Sequence, residues 1–242
     1  MNWKATLDDN IKFHMERAHK GFCENVDIET YKKQFEGIPN EACHLFDCQT
    51  FEVHLVQDNF AEVIGVPDFH PKTVMDLIHH MHEDHLPLAM GLSGATMANE
   101  RLFECGKDSV SQVFRMKNDK MILKTSTPLV KDANQHVILV VEQHKDVTNL
   151  VSQSFTWSFS GPNSTKLEQL VRNMFEKELP ITAQEITVLS LIGKGYSSKE
   201  AAEVLFLSKH TVDTHRRNIL KKLKVHNTSE AVKQMVDLGV LA

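Results

Sequence analysis

The 242-residue sequence is poor in aromatics of the polar kind, with two tryptophans and two tyrosines, and it has four cysteines. No run of about eighteen apolar residues is present to span a bilayer, and the start, MNWKATLDDN, lacks the apolar core of a signal peptide. A soluble, cytoplasmic protein with no membrane partner is therefore expected. Cys23, Cys43, Cys48 and Cys105 form no Cys-x-x-Cys pair, so they read as reduced thiols rather than a disulfide framework or zinc site. Glycine-rich phosphate loops, a Gly-x-Ser-x-Gly elbow and kinase signatures are all missing, and no enzymatic activity is expected.

Hydrophobic residues make up 41% of the chain, enough for proper cores, and the length permits two domains of ordinary size. Charge is unevenly shared. From Thr182 onward nine Lys and Arg face six Asp and Glu, whereas the preceding part holds eighteen against twenty-six. Nucleic acid is expected to meet the tail and to be repelled by the front.

The tail carries three capping boxes, Thr182 with Glu185, Ser197 with Glu200 and Asn227 with Glu230, each predicting a helix start. Ile186, Val188, Leu189, Leu191 and Ile192 give the first helix an apolar face, and Gly193 and Gly195 end it. A second helix of about two turns runs from Lys199 to Leu205, with Ala201 and Ala202 permitting close approach of a neighbour. Ser208 is placed to cap a third helix reaching Leu223, with Val212, Ile219, Leu220 and Leu223 inward and Lys209, Arg216, Arg217, Lys221 and Lys222 outward. Asp213 is the only acid along it. A short helix, a turn and a longer basic helix make a helix-turn-helix unit, whose second helix enters the major groove.

This stretch resembles the LuxR/NarL-type (GerE-like) DNA-binding domain through Glu185, Val188-Leu189, Gly195, Lys199-Glu200, Ala202, Leu205, Ser208, Thr211-Val212, His215, Asn218-Ile219, Lys222-Leu223, Ala231 and Gly239. The resemblance implies an all-α four-helix module over 181–242, binding double-stranded DNA as a homodimer through its last helix, about Ser229 to Leu238, with RNA polymerase a further partner. It places base contacts at Asp213, Thr214 and Arg217. Phosphate contacts fall at Lys199, Ser208, Lys209, Thr211, Arg216 and Lys221. Three positions depart from the family pattern: Asp213 fills a slot often basic, Ala201 one usually larger, and Thr228 one often arginine. A carboxylate at 213 can accept from the amino group of cytosine but repels phosphate.

Residues 1–39 have helical character, with Ile11, Met15 and Ala18 on one side and Tyr31, Phe35 and Ile38 further on, before Pro39 interrupts. Strand patterns follow in CHLFDCQ and in TFEVHLV, where Phe51, Val53 and Leu55 alternate. Helical segments are expected around Asn59–Gly65, Pro71–His79 and Leu86–Asn99, then three strands in SVSQVFRMKN, MILKTSTPLVK and VILVVEQHKDV, separated by turns at Asn118-Asp119 and Asp132-Ala133-Asn134. An antiparallel sheet with helices on one side, an α+β domain, is the predicted architecture.

NFAEVIGVP, IHHMHEDHLP, the closing strands and Asp146-Val147-Thr148 give residues 40–150 a resemblance to a PAS domain, with His82 where proline is frequent and Asp119-Lys120 in place of Asp-Gly. That resemblance implies a sensor or dimerisation domain and leaves function open. A cavity lined by Phe60, Ile64, Leu77, Ile78 and Leu88 would favour a small ligand; a packed core would favour a pure protein–protein interaction and dimerisation module. No cofactor is expected: Cys105 lacks the flanking residues of a flavin-attachment motif, and no histidine is framed by an apolar stripe as haem would require. His70, His79, His80, His82 and His85 crowd one stretch, but the matching turn is a polar connection, so they are read as solvated and no metal is expected. A phosphoacceptor domain, with its alternating βα pattern, and an acyl-homoserine-lactone pocket, rich in Trp and Tyr, do not fit.

Residues 151–180 read as a polar, Ser-rich connector broken at Gly161-Pro162-Asn163, followed by an amphipathic helix from Ser164 to Lys177 with a stripe of Leu167, Leu170, Val171, Met174 and Phe175. The stripe suits packing on its own domain and a dimer-forming signal helix equally. The combined expectation is a transcriptional regulator with a PAS-like front domain and a LuxR-type DNA-binding module.

Overall fold

The computed structural model describes residues 12, 16, 25–38, 40–152 and 154–241. Ile11, Met15, Ala18, Cys23 and Pro39 lie outside the described residues. The chain divides into two compact units, with the division at Val171–Arg172.

The front unit holds α1 (Ile28–Lys32), β1 (Ala42–Asp47), β2 (Val53–Gln57), a wide helical turn (Ala61–Gly65), α2 (Val74–His79), α3 (Leu86–Ala98), β3 (Ser109–Arg115), β4 (Met121–Lys131), β5 (Val137–Asp146) and β6 (Thr156–Ser160). Its strands form one antiparallel sheet in the order β2-β1-β5-β4-β3-β6. This is the α+β class, an antiparallel sheet with helices, anticipated from sequence. Pro128 sits inside β4 where the ladder register shifts, as a residue without an N–H requires.

Three details differ from the sequence reading. The sheet is covered on both faces along β1 and β5, because Val26, Ile28, Tyr31 and Phe35 pack on a cluster of Cys43, Leu45, Leu139 and Val141. Those four residues alternate with His44, Phe46, Val140 and Glu142, so both faces of each strand need cover. The expected connector contains β6, paired along β3 with Trp157 opposite Gln112 and Phe159 opposite Val110. Its period-two alternation is masked by the serines and threonine on the outward face, Phe159 being buried while Thr156, Ser158 and Ser160 are exposed. Phe51 lies in the β1–β2 turn with φ +64° rather than in β2.

The junction after β6 is fixed by Asp108, whose carboxylate accepts from Asn163 N and Nδ2 at 2.8 Å each and from Glu104 N at 2.6 Å. Gly161, at φ +106°, lies against the Lys107 carbonyl and Asp108, leaving no room for a Cβ. Helix α4 (Ser164–Glu178) follows and runs across the division between the units. Leu167, Val171 and Phe175 on its apolar stripe are buried, and Met174 is exposed.

The second unit is all helical: α5 (Ala183–Gly193), α6 (Ser198–Leu205), α7 (Lys209–Leu223) and α8 (Thr228–Asp237). Each start is capped as its sequence dictates. Thr182, Ser197, Ser208 and Asn227 accept from the N–H groups of Glu185, Glu200, Thr211 and Glu230. Gly195 takes φ +93° after α5. Val188, Leu189, Ala201, Ala202, Val212, Ile219, Leu223, Ala231 and Met235 are among its buried residues, each large member worth about 1.5–3 kcal/mol of burial.

Candidate nucleic-acid interface and cavity

The turn between α6 and α7 is set by Phe206, left-handed at φ +56° and 96% exposed, while Leu207 N donates to Ala202 O at 2.9 Å. Ser208 then starts α7, fifteen residues long and about 22 Å at 1.5 Å per residue, enough to cross a major groove. Its inner face supplies Val212, Ile219 and Leu223 to the core, so Lys209, Asp213, Arg217 and Lys221 are left on the outer side.

Two basic residues turn out to brace the fold. Lys222, expected on the free face, pairs with buried Glu185 at 2.7 Å; Glu185 also accepts from Thr182 N at 2.7 Å. Burial works to raise the Glu185 pKa, but Lys222 and the cap donors prevail and hold it below its ordinary value. Arg216 donates to Ser198 Oγ at 2.8 Å and to Thr228 Oγ1 at 3.2 Å, joining α7 to the starts of α6 and α8. Thr228 is thus a partner of Arg216.

The expected base-contact positions lie together. Asp213 accepts from Lys209 Nζ at 2.7 Å, and that contact first, then Ser198, lowers its pKa, so it is an acceptor at neutral pH. Arg217, exposed, donates to Thr214 Oγ1 at 3.2 Å, and Thr214 donates to His210 O at 2.9 Å. Surface pairs of this kind contribute little and are readily exchanged for a partner's groups. Of the expected phosphate contacts, Lys199 and Lys221 are exposed without an ion pair among the described residues. Ser208 Oγ caps Thr211 N at 3.0 Å and lies 2.8 Å from Thr211 Oγ1.

In the front unit a cavity of about 440 Å³ lies between α2, α3 and the sheet, within the size of small-molecule sites. Of the expected lining, only Ile78 borders it; Phe60 and Ile64 are packed in the core, and Leu77 and Leu88 are half-buried elsewhere. Met75, Met81, Met97, Phe46, Phe51 and Phe103 supply apolar wall instead. The small residues of α3, Ala89, Ser93 and Gly94, border the space, and a helix read from periodicity does not reveal which small residues face a void.

The cavity has one polar end. Glu142 Oε1 accepts from Lys124 Nζ and Ser126 Oγ, each at 2.8 Å, and Gln112, 4% exposed, has no partner for its Oε1. Beside it, His44 Nε2 is 3.3 Å from Glu142 Oε2, too poorly aligned for a hydrogen bond, and His144 Nε2 is 4.0 Å away. The two imidazoles stack at 5.3 Å, with Phe60 against both. Burial would raise the Glu142 pKa, yet Lys124 above all and the histidines hold it well below its usual range. Burial, then His44, pushes His144 well below its usual value, keeping it neutral. Leaving a buried polar group unpaired costs about 1–3 kcal/mol, which sets this cluster apart.

Sequence reasoning missed these residues, although Glu142 and His144, two apart in a strand, had to share a face. The histidine-rich turn it singled out is partly structural. His85 is buried, its Nδ1 accepting from Arg115 N at 2.8 Å, and the Arg115 side chain reaches His82 at 2.9 Å and Asp84 at 2.8 Å. His70 and His79 are exposed, as expected.

The family described as bacterial regulatory proteins, luxR family, matches residues 179–235. The chain is 40% identical over 70 residues to the uncharacterized response regulatory protein YgeK of Escherichia coli (strain K12), covering 29% of this chain and 48% of that one. Over 63 residues it is 38% identical to the transcriptional regulatory protein MctR of Rhizobium johnstonii, covering 26% and 29%. The chain spans about half or less of the length of these curated relatives. Among solved structures it is similar to the phage VqmA-DPO complex, at 17% identity and TM-score 0.35 over 87% of this chain and 88% of that one. The C-terminal helices are a LuxR-family helix-turn-helix domain.

Proposed function

We propose that this chain is a sequence-specific DNA-binding transcriptional regulator, acting as a dimer in the cytoplasm and controlled by a small molecule held in the front cavity. The observation that carries the reading is the α6–turn–α7 unit, whose outer face presents Arg217, Lys209 and Lys221 while its inner face is committed to the core. Arg217, Thr214 and Asp213 would meet base edges; Lys199, Lys209, Lys221 and the start of α7 at Ser208 and Thr211 would meet phosphates, with Arg216 at the rim. The name of a relative, transcriptional regulatory protein MctR, supports the same role. RNA polymerase is the further partner such a regulator would meet.

A cavity of about 440 Å³ favours ligand control over a purely protein-binding front domain. Its walls call for a compact, mostly apolar molecule with a hydrogen-bond donor for Gln112 Oε1. Ligand binding would alter the dimer, and so whether two recognition helices fall one DNA turn apart. Native mass spectrometry of the full-length protein with duplex DNA, beside a denaturing run, tests both halves. Two chains per duplex with additional non-covalent mass per chain are expected. Failure to bind any duplex would overturn the DNA reading, and a chain that takes no small molecule from cell extract would turn the front domain into a protein-docking module.

A further inference from the structure

We propose that His44, Glu142 and His144 form a buried site for one divalent first-row metal ion of the zinc or ferrous class, on the sheet beside the front cavity that Glu142 borders. The sheet register makes the site. His44 on β1 lies directly opposite Glu142 on β5, and His144 follows two residues later, opposite Ala42, so all three side chains leave the same face. Their ligating atoms lie within 4.8 Å of one another. A tetrahedral ion with bonds of about 2.0–2.1 Å separates its ligand atoms by roughly 3.4 Å. His44 Nε2 and Glu142 Oε2 already stand at 3.3 Å, and His144 Nε2 has to close in from 4.0 Å, a shift within the reach of side-chain torsions.

The second observation is chemical. His44 and His144 are 0% and 1% exposed, and none of their four ring nitrogens has a hydrogen-bond partner. An ion between them would engage one nitrogen of each ring. Two imidazoles and a carboxylate select zinc or ferrous iron over magnesium or calcium, which demand oxygen. Lys124 and Ser126 bind Glu142 Oε1 and so orient Oε2 toward the rings, the supporting shell a metal ligand requires. Because Lys124 balances Glu142, a bound dication would need an anionic further ligand such as hydroxide. The inference is independent of DNA binding; either can fail alone.

Equilibrium dialysis of chelator-stripped full-length protein against Zn²⁺, Co²⁺ and, without oxygen, Fe²⁺ tests it. One tight equivalent per chain is expected, with a low-symmetry visible spectrum for Co²⁺. The equivalent should be lost in His44→Gln and in His144→Gln and kept in His70→Gln, at an exposed histidine beside Asp58. As buried substitutions can impair folding, zinc-edge absorption and anomalous diffraction of the unaltered protein provide a second readout. They should show two imidazoles and one carboxylate between β1 and β5. No tight equivalent, one that survives both buried substitutions, or an ion bound at the surface histidines would overturn the proposal.

Discussion

The two units handle charge in opposite ways. In the helical unit Lys199, Arg217 and Lys221 are exposed and loosely engaged, whereas in the front unit Lys124, Glu142, His44 and His144 are drawn into the interior around one carboxylate. Exposed charge gives up little when it exchanges its neighbours for a partner's groups. Buried charge is held by its surroundings, and removing one member leaves the others uncompensated. The first arrangement suits contact with a polyanion, the second a site for something small.

Substitutions should separate the two regimes, the largest effect coming from the buried one. Lys124→Met leaves Glu142 without its cation and should cost the front unit about 3–5 kcal/mol in urea unfolding; a loss below about 1 kcal/mol would place that pair with the surface charges. Arg217→Ala should leave folding unchanged but weaken binding to a preferred site by about 1–3 kcal/mol, and relax base preference at one position; an unaltered footprint and affinity would remove Arg217 from the base-reading set.

Glu185→Gln crosses the divide, since Glu185 is a buried charge inside the DNA-binding unit. It should cost roughly 1–2 kcal/mol through the lost cap and Lys222 pairing. In the parent protein the folded Glu185 pKa is below its ordinary 4.5. Its contribution is therefore complete above about pH 4.5 and lost as pH falls through the folded value. Glu185→Gln should flatten that part of the stability profile, and an unchanged slope would assign it to other carboxylates. Lys221→Ala should have the smallest effect, weakening all duplexes alike and reducing the slope of log affinity against log salt by about one; loss restricted to one sequence would make Lys221 a base contact.

The helical unit was legible because its signals are local. Thr182, Ser197, Ser208 and Asn227 mark helix starts within three residues of the groups they cap. Non-local pairings escaped there too, as with Lys222 and Glu185, thirty-seven residues apart. In the front unit, strand patterns placed β1 to β5, but β6 was hidden by its polar outward residues and its pairing with distant β3. The cavity was legible only as a class of feature. Which side chains border a void depends on how α2 and α3 settle on the sheet, and of the five expected residues Ile78 alone does. His44 and His144 are a hundred residues apart in sequence and meet only through the β1–β5 register; the histidines close in sequence drew attention to a turn held by Arg115.

The most direct test is selection from a pool of random duplex DNA with the full-length protein, beside Arg217→Ala. A two-fold-symmetric motif with half-sites about one helical turn apart is expected, with base preference at one position in each half-site relaxed in the variant. Recovery of duplexes without any shared motif, or of the same motif at equal strength from the variant, would contradict it.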